Sequence, residues 1–270
     1  MYKNYSVLMT VYYKENPTFF ETAIESILNQ TLKTNDFVIV ADGPLGEPLE
    51  AVLRKYESNP IFTIVRTPEN KGSGAASQAG LPYIKNEVFA KMDSDDISVP
   101  ERMEKELAKI NDGYDVVGGF IAEFIDNPQS IISIRKPPEQ HDDIVKFSKK
   151  RNPISNVTIM YKKSKIESVG GYPDLKVLED YTLDIKLIQS GCKVYNIQEV
   201  MVLVRSNKSQ MKRRGDKYLR VKLKELRKYM VKTKYISKFE YFIYNIEASL
   251  FLLSPSWLKR LFYKIFLRRK

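Results

Sequence analysis

The sequence contains one cysteine and one histidine among its 270 residues. A single cysteine, Cys192, cannot form an internal disulfide, which is consistent with a reducing compartment. We interpret His141 as a surface residue, because one cysteine and one histidine supply too few ligands for an ordinary zinc site. A disulfide scaffold is therefore excluded and a zinc protein is nearly excluded.

Long hydrophobic runs are also absent from the sequence. The longest candidate, SLFLLSPSWL, is interrupted by Pro255 and is shorter than the roughly 18 to 20 residues of a membrane-spanning helix. The opening residues, MYKNYSVLMT, have too short an apolar stretch for a secretory signal. The sequence therefore predicts a cytoplasmic protein without a spanning segment.

Acidic residues are scarce in the last quarter of the chain. Residues 205–270 hold 20 Lys or Arg against 4 Asp or Glu, whereas residues 1–204 hold 24 against 29. The positive net charge of +11 therefore comes from residues 205–270, since the rest of the chain has more acidic than basic residues. A nucleic-acid-binding core would more often spread positive charge over its folded face, so no nucleic-acid partner is expected.

Strand-like and helix-like segments alternate through the first half of the chain. Short runs rich in Val, Ile, Phe and Tyr predict strands, namely YSVLMTVYY, DFVIVADG, IFTIVRT, EVFAKMD and DVVGGFIAEFI. Helical spacing of apolar residues appears in NPTFFETAIESILNQ, EPLEAVLRKYES, GAASQAGLPYIK and VPERMEKELAKI, the last with Pro100 as its first helical residue. This alternation predicts an α/β fold with a mostly parallel central sheet flanked by helices.

The second half has a different pattern. A strand, a short helix and a glycine turn are predicted for residues 151–174, followed by a helix in LEDYTLDIKLIQSG that Gly191 closes. CKVYNI and EVMVLVRS are predicted to be two further strands. From about Ser209 the pattern is helical and basic, so we divide the chain into a domain of residues 1–208 and a helical tail of residues 209–270.

Polar or acidic residues follow three of the predicted parallel strands. They are Thr10 to Tyr12 after the first strand, Asp42 after the second, and Asp93 to Asp96 after the fourth. Ligands of open parallel sheets bind beyond the carboxyl ends of the strands. Each feature alone could be a turn or a helix cap, but three of them on one rim favour a binding site. The DSDD cluster is either a solvated turn or a site for a hard cation such as Mg²⁺.

The ordered set SVLMTVYYKE, VIVADG, ENKGSGAASQAG, KMDSDD, VGGY and LEDYTLDIKLIQSG resembles the family 2 glycosyltransferases. The resemblance covers roughly residues 3–215. It implies an inverting, hexosyltransferase-type enzyme with a GT-A-type nucleotide-sugar-binding fold and a Mn²⁺ or Mg²⁺ cofactor. A UDP-sugar is the donor that this resemblance implies.

The resemblance also implies roles for individual residues. Asp95 and Asp93 would bind the metal, and Asp96 would orient the donor sugar. Asp180 would be the general base with Glu179 in support, and the start of a helix is expected to keep both carboxylates ionised; the alternative is that they only cap the helix. The residues implied in nucleotide binding are Thr10, Val11, Tyr12, Glu15, Asp42 (on the uracil base), Lys71, Gly72 and Asp93 (on the ribose).

The last sixteen residues, PSWLKRLFYKIFLRRK, carry apolar side chains on one helical stripe and basic ones on the other side. The stripe comprises Trp257, Leu258, Leu261, Phe262, Ile265 and Phe266. Such a helix is typical of the headgroup region of an anionic bilayer; packing on the protein's own core is the alternative. Relatives that work on lipid-linked sugars commonly meet the membrane in this way.

Together these features predict transfer of a sugar to a lipid-diphosphate-linked glycan in capsule or O-antigen synthesis, by a protein peripheral to the inner face of the cell membrane. Two alternatives remain, a catalytically inactive nucleotide-binding scaffold and a basic nucleic-acid-binding protein. The intact Asp42, Asp93, Asp95 and Asp180 oppose the scaffold, and the acidic first part of the chain opposes the nucleic-acid-binding protein.

Overall fold

A computed structural model describes residues 1–175, 178–206 and 217–253. In its first half, four strands, β1 (Ser6–Val11), β2 (Asp36–Ala41), β3 (Phe62–Arg66) and β4 (Val88–Asp93), alternate with three helices, α1 (Pro17–Leu28), α2 (Glu47–Arg54) and α3 (Ser73–Gly80). The strands pair in the order β3–β2–β1–β4 and are all parallel. The carboxyl ends of β1, β2 and β4 therefore lie at one edge of the sheet, as the alternation predicts.

The second half extends this sheet with strands of both directions. Its elements are β5 (Ile97–Ser98), α4 (Arg102–Asn111), β6 (Val116–Phe124), β7 (Ser133–Arg135), α5 (His141–Ser148), β8 (Met160–Lys162), α6 (Lys163–Ser168), α7 (Glu179–Gln189), β9 (Val194–Arg205), α8 (Lys217–Lys232) and α9 (Lys238–Leu253). The sheet continues in the order β4–β8–β6–β9–β5, and β7 pairs with β6. Because β8 is antiparallel to both β4 and β6, β6 and β9 run in the same direction as β4.

Two element boundaries differ from the sequence prediction. Residues 194–205 form the single strand β9 and not two strands, because register shifts on either side of Phe120 in β6 absorb the polar interruption. Helix α4 begins at Arg102 and not at Pro100. The Pro100 carbonyl oxygen instead accepts a hydrogen bond from the Thr31 backbone N–H at 2.8 Å, which holds that residue outside the helix.

Helices cover both faces of the sheet. On one face, α1 begins where the Asn16 side chain accepts hydrogen bonds from the Thr18 and Phe19 N–H groups, and its buried residues pack against Val7 and Met9 of β1. On the other face, Leu8 belongs to a second hydrophobic cluster that also contains buried residues of α7. A Cβ on Gly80 would lie 2.5 Å from a methyl carbon of Leu8, so only glycine allows α3 to approach the sheet this closely.

The two last described helices pack against α7 and α5. Tyr181 and Ile185 of α7 form a hydrophobic cluster with Leu226 and Met230 of α8, together with Ile236 and Tyr244. Lys149 and Glu240 add an ion pair at 3.1 Å. Within the described ranges, no helix has the length and apolarity that crossing a bilayer requires. The predicted amphipathic stripe of residues 255–270 lies outside the described residues.

Candidate active site

Asp42 organises the loop that leads from β3 into α3. Its side chain is only 4% exposed, and its Oδ1 and Oδ2 atoms accept hydrogen bonds from the backbone N–H groups of Lys71 and Gly72, both at 2.9 Å. The loop also passes close to Gly43, where a Cβ would lie 2.6 Å from the Asn70 nitrogen. The family resemblance implied that Asp42 contacts a base; in this structure both of its carboxylate oxygens hold the loop.

The acidic turn after β4 brings four carboxylates together. Asp93 and Asp95 are half-buried, and the Ser94 hydroxyl donates a hydrogen bond of 2.9 Å to Glu15 Oε2. Burial raises the pKa of Asp95 to about 7, and the nearby charges of Asp93 and Glu15 contribute to this rise. Glu15, predicted to contact the nucleotide, thus belongs to the acidic cluster.

The fourth carboxylate, Asp96, anchors this turn to the end of β9. Asp96 is buried, and its Oδ1 accepts a hydrogen bond of 2.8 Å from the Arg205 backbone N–H. The Arg205 Nε donates to the Asp95 carbonyl oxygen at 3.2 Å, while its guanidinium carbon lies 3.6 Å and 4.7 Å from the ring centroids of Phe19 and Phe124. One oxygen of Asp96 therefore holds the turn in place.

Two further carboxylates begin α7. Asp180 Oδ2 accepts a hydrogen bond of 2.7 Å from the Asn152 side-chain amide, and its Oδ1 accepts one of 2.7 Å from the Tyr181 backbone N–H. Burial nevertheless raises the pKa of Asp180. Burial also raises the pKa of Glu179 to about 7, and the charge of Asp180 adds to this shift. Burial therefore acts against the helix start and its N–H groups, which were expected to keep both carboxylates ionised.

The charge of Asp93 contributes to the raised pKa values of both Glu179 and Asp180. The acidic turn and the start of α7 are therefore near enough for their charges to interact, although about 85 residues separate them in the sequence.

Lys91 is a residue of this site that the sequence reasoning missed. It lies in β4, is only 1% exposed, and its Nζ donates to the Thr10 hydroxyl oxygen at 3.4 Å. Burial lowers the pKa of Lys91, whereas the charges of Asp93 and Glu179 raise it. The signal that could have revealed it is a charged residue inside the otherwise apolar strand VFAKMD.

The remaining predicted nucleotide residues differ in how accessible they are. Tyr12 and Lys71 are exposed, with Tyr12 edge-to-face against Tyr13 and Lys71 paired with Glu69 at 3.2 Å. Thr10 is half-buried. Val11 is part of the hydrophobic core, and its carbonyl oxygen accepts a hydrogen bond from the Asp42 N–H. The predicted contact of Val11 with a nucleotide would therefore have to come from its backbone.

The oxygen-rich acidic cluster suits a hard divalent cation that a ligand helps to bind. Among the described residues, no three or more His, Cys, Asp or Glu side chains form a metal site by themselves. Mg²⁺ commonly combines one or two carboxylates with phosphate oxygens of a substrate, and Asp93 and Asp95 can supply such carboxylates. His141 lies at the opposite edge of the sheet, where its Nδ1 accepts a hydrogen bond from the Val194 N–H.

The fold is that of a GT-A-type glycosyltransferase, and comparison with known proteins agrees. The model of glycosyl transferase family 2 matches residues 6–169. The chain is 33% identical over 271 residues to a UDP-Gal:alpha-D-GlcNAc-diphosphoundecaprenol beta-1,3-galactosyltransferase of Escherichia coli, covering 98% of this chain and 97% of that one. It is also 33% identical over 244 residues to the amylovoran biosynthesis glycosyltransferase AmsE of Erwinia amylovora, covering 88% and 91%. The chain belongs to glycosyl transferase family 2.

Solved structures show the same fold at low sequence identity. Staphylococcus aureus TarS in complex with UDP-GlcNAc gives a TM-score of 0.68 at 15% identity, covering 97% of this chain and 76% of that one. The mannosyltransferase PcManGT of Pyrobaculum calidifontis, in complex with GDP-Man and Mn²⁺, gives 0.64 at 14% identity, covering 96% and 78%. The two neighbours carry different nucleotides, so the fold alone leaves the donor base undecided.

Proposed function

We propose that this glycosyltransferase is an inverting, metal-dependent enzyme that transfers a hexose from a UDP-sugar to a lipid-diphosphate-linked glycan. The observation that carries the proposal is the proximity of two carboxylate groups: Glu179 lies against the start of α3, and the charge of Asp93 acts on Glu179 and Asp180. Asp93 and Asp95 come from β4 and the turn after it, and Glu179 and Asp180 come from α7. The first pair has the chemistry to bind a donor with its cation, and the second pair has the chemistry to activate an acceptor.

On the donor side, Asp95 and Asp93 would hold Mn²⁺ or Mg²⁺ together with the diphosphate. When bound, the cation supplies Lewis-acid neutralisation of the charge that develops on the departing nucleotide. Thr10, Tyr12 and the 71–72 loop surround the nucleotide in this proposal, and Asp93 contacts its ribose. Asp42 then acts on the nucleotide mainly through the loop that it holds.

On the acceptor side, Asp180 takes the proton from the attacking hydroxyl group. Its Oδ2 is oriented by the Asn152 amide, and a raised pKa moves a carboxylate toward the neutral range in which a general base is most effective. Glu179 supports it from the preceding position. The proton passes to Asp180 as the sugar–oxygen bond to the acceptor forms and the bond to the diphosphate breaks, with inversion at the sugar carbon.

The proposed acceptor rests on the relatives, since one of them is named for a diphosphoundecaprenol substrate. Such an acceptor requires contact with a membrane surface, which we assign to the basic tail and its stripe of residues 255–270. The described helix α9 adds to this assignment. In this helix the side chains of Phe239 and Phe242 are 73% and 62% exposed, and the exposed Ile246 lies on the same face. We place this contact at the inner face of the cell membrane.

A panel of UDP- and GDP-linked sugars with Mn²⁺ tests the donor and the reaction. We expect slow release of free sugar and UDP from one UDP-sugar without an acceptor, and faster turnover when a lipid-diphosphate-linked saccharide is added. If only a GDP-sugar is turned over, the donor is a GDP-sugar and not a UDP-sugar. Nucleotide binding without hydrolysis or transfer would favour the scaffold, and salt-sensitive oligonucleotide binding would favour the nucleic-acid-binding protein.

A further inference from the structure

Arg135, the last residue of β7, fastens a loop that touches the proposed base. Its Nη2 atom donates a hydrogen bond of 2.6 Å to the Asn152 carbonyl oxygen, and its Nη1 atom donates one of 2.8 Å to the Ser155 hydroxyl oxygen. A longer contact of 3.4 Å joins Nη1 to the Ile154 carbonyl oxygen. One planar guanidinium group therefore binds the loop of residues 152–155 at three oxygens.

The far end of this loop is fixed to the central sheet. Ser155 is buried, and its carbonyl oxygen accepts a hydrogen bond of 2.8 Å from the Thr158 backbone N–H. The Thr158 hydroxyl oxygen in turn accepts a hydrogen bond of 3.1 Å from the backbone N–H of Gly119 in β6. Arg135 itself is the register partner of Ile121 in β6. The loop is thus held against β7 through Arg135 and against β6 through Thr158.

The Asn152 side chain connects this loop to the start of α7. Its Oδ1 atom accepts a hydrogen bond of 3.2 Å from the Ile154 backbone N–H, and its Nδ2 atom donates one of 2.7 Å to Asp180 Oδ2. Because a backbone N–H can only donate, the Ile154 contact requires the amide oxygen, and the NH2 group is left to face Asp180. The conformation of the loop therefore decides which end of the amide meets the carboxylate.

Arg135 also places a positive charge near Asp180. The titratable and charged groups around Asp180 come from four elements, namely Asp93 of β4, Arg135 of β7, Tyr161 of β8, and Glu179 and Asp184 of α7. Burial raises the pKa of Asp180 and the charge of Asp93 adds to this rise, whereas the charge of Arg135 opposes it. Arg135 therefore favours the ionised form of Asp180, which is the form that can accept a proton.

We propose that Arg135 is a positioning residue for the base, because it fixes the loop of residues 152–155 so that the Asn152 amide holds the Asp180 carboxylate ready for the acceptor hydroxyl group. The proposal rests on the proposed function, since it takes Asp180 as the base. Arg135 makes two separable contributions. Its planar fork sets the position of Asn152, and its charge favours the ionised base.

Replacing Arg135 with Gln or Lys separates these contributions. Arg135→Gln removes both, whereas Arg135→Lys keeps the charge without the planar fork. We expect kcat to fall about 10- to 100-fold in Arg135→Gln, because misplacing a catalytic group by about 1 Å can cost on the order of 100-fold, and by a smaller factor in Arg135→Lys. Mn²⁺-dependent UDP affinity should stay at the wild-type value in both variants.

The pH dependence of kcat, measured at saturating Mn²⁺ and donor, distinguishes the charge from the fork. The acid limb of this profile reports the pKa of the base in the substrate complex. It should move to higher pH in Arg135→Gln, because the cation that favours the ionised carboxylate is lost, and should stay in place in Arg135→Lys. Lys136→Gln is the charge-matched control, because the exposed Lys136 follows Arg135 directly; it should change neither kcat nor the profile.

A double-mutant cycle with Asn152→Ala tests whether Arg135 acts through Asn152. In the Asn152→Ala background, Arg135→Gln should lower kcat at the optimum pH by about threefold or less. Full additivity of the two substitutions would overturn the proposal, and so would wild-type kcat in Arg135→Gln or an equal loss in Lys136→Gln. Equal losses of kcat and UDP affinity with an unchanged pH profile would also overturn it, because that pattern describes general damage to the fold. If Arg135→Gln does not fold, the cycle of Arg135→Lys with Asn152→Ala gives the same comparison.

Failure of the proposed function gives a different result, because the wild-type protein would then turn over no nucleotide sugar. An NMR titration still decides the role of Arg135 in that case. In the wild type, the side-chain amide signal of Asn152 should follow the ionisation of Asp180, and Arg135→Gln should abolish this dependence. An Asn152 signal that titrates identically in both proteins would show that Arg135 does not position the amide.

Discussion

At the scale of single residues, carboxylates of the same chemistry acquire different roles from their surroundings. Asp42 and Asp96 are buried and use their oxygens to hold backbone N–H groups, so they stabilise loops. Asp93 and Asp95 are half-buried and lie in a crowded acidic turn. Asp180 is oriented by an amide donor. Removal of each should therefore change a different measurable property.

Asp95→Ala should abolish transfer and weaken metal-dependent UDP binding, because one carboxylate ligand of the cation is lost. Calorimetry of UDP binding with and without Mn²⁺ measures this. Asp143→Ala, at an exposed position of α5, is the control and should have no effect. Full wild-type activity in the presence of EDTA would contradict the metal assignment.

Metal binding should also depend on pH through Asp95. Its pKa is raised to about 7, so the carboxyl group holds a proton below that pH and must release it to bind a cation. We expect Mn²⁺ and UDP to bind more weakly at pH 6 than at pH 8, with proton release on binding near pH 6. Identical affinity at both pH values would exclude Asp95 as a ligand.

In the metal-free protein, the contribution of the same carboxyl group to folding stability decreases as pH rises, whereas metal binding strengthens. The pKa of Asp95 rises on folding from its ordinary value of 3.8 to about 7, so the folded state binds more protons than the unfolded state between these two pH values. The contribution of this group to stability therefore falls as pH rises through that window. Melting temperatures of wild type and Asp95→Ala, compared across the window without metal, measure this contribution.

Asp180→Asn should cut turnover while leaving UDP and metal affinity nearly unchanged. A general base contributes on the order of 10² to 10⁴ in rate, and an amide of the same shape keeps the packing at the start of α7. Single-turnover assays paired with UDP calorimetry separate the two effects. A fall in rate of less than about tenfold, below the range for general-base catalysis, would indicate that another group accepts the proton.

At the scale of secondary-structure elements, the site depends on how loops are fixed to helix starts. The 71–72 loop has Gly72 at a φ of +97° and is held by Asp42. The acidic turn is held by Arg205 at the end of β9. The start of α7 is preceded by Leu178 in a left-handed conformation, with a φ of +61°. The 71–72 loop and the acidic turn are thus each held by a contact from a distant segment.

Asp42→Ala should loosen the 71–72 loop and the start of α3. Two partly buried N–H groups lose their acceptor, and since a fully buried unsatisfied group costs about 1–3 kcal/mol, we expect a modestly lower melting temperature together with weaker UDP binding. Asp112→Ala, on the exposed end of α4, should change neither. If Asp42 instead acts only through a base contact, UDP affinity would fall while the melting temperature stayed constant.

At the scale of the whole molecule, basic charge is concentrated at the carboxyl-terminal end, where we also propose the membrane contact. Helices α8 and α9 pack on α7 through the cluster around Tyr181 and Met230, directly behind the proposed base. Our division of the chain at residue 208 stays a prediction. The described helices of the tail are nevertheless in contact with the catalytic part.

Deleting residues 255–270 should move the protein from the membrane to the soluble fraction without destroying nucleotide binding. All proposed nucleotide and metal ligands precede residue 100, so the deletion leaves them in place. Vesicles of anionic lipid should bind the full chain less tightly as salt is added, because screening weakens the Lys and Arg contribution. The apolar stripe should keep some binding even at high salt.

Leu261→Ser with Phe262→Ser separates membrane contact from core packing. If the stripe lies in a bilayer, the double variant should leave anionic vesicles even at low salt and melt at the wild-type temperature. If the stripe packs on the protein, the melting temperature should fall and vesicle binding should be retained. Both quantities are measured on the same preparation.

The sequence by itself determined the elements and their order. Apolar periodicity is local, and it predicted β1 to β4, β6 and α1 to α4, because each pattern is contained in a dozen residues. The motif order predicted the family, and the alternation of elements placed Asp42 and the acidic turn on one edge of the sheet, because the carboxyl ends of parallel strands share an edge. The charge imbalance of the tail was equally plain from the residue counts.

Only the tertiary structure decided what those residues contact and how strongly they hold their protons. The sequence did not show that both carboxylate oxygens of Asp42 accept hydrogen bonds from the 71–72 loop. Nor did it show that Asp96 accepts a hydrogen bond from Arg205, 109 positions away. Lys91 appeared as one residue of a strand until the structure showed its side chain to be buried. The raised pKa values at the start of α7 oppose the effect expected from the helix alone. The physical reason is that hydration and charge act through distance in space, and folding brings together side chains that are far apart in the sequence.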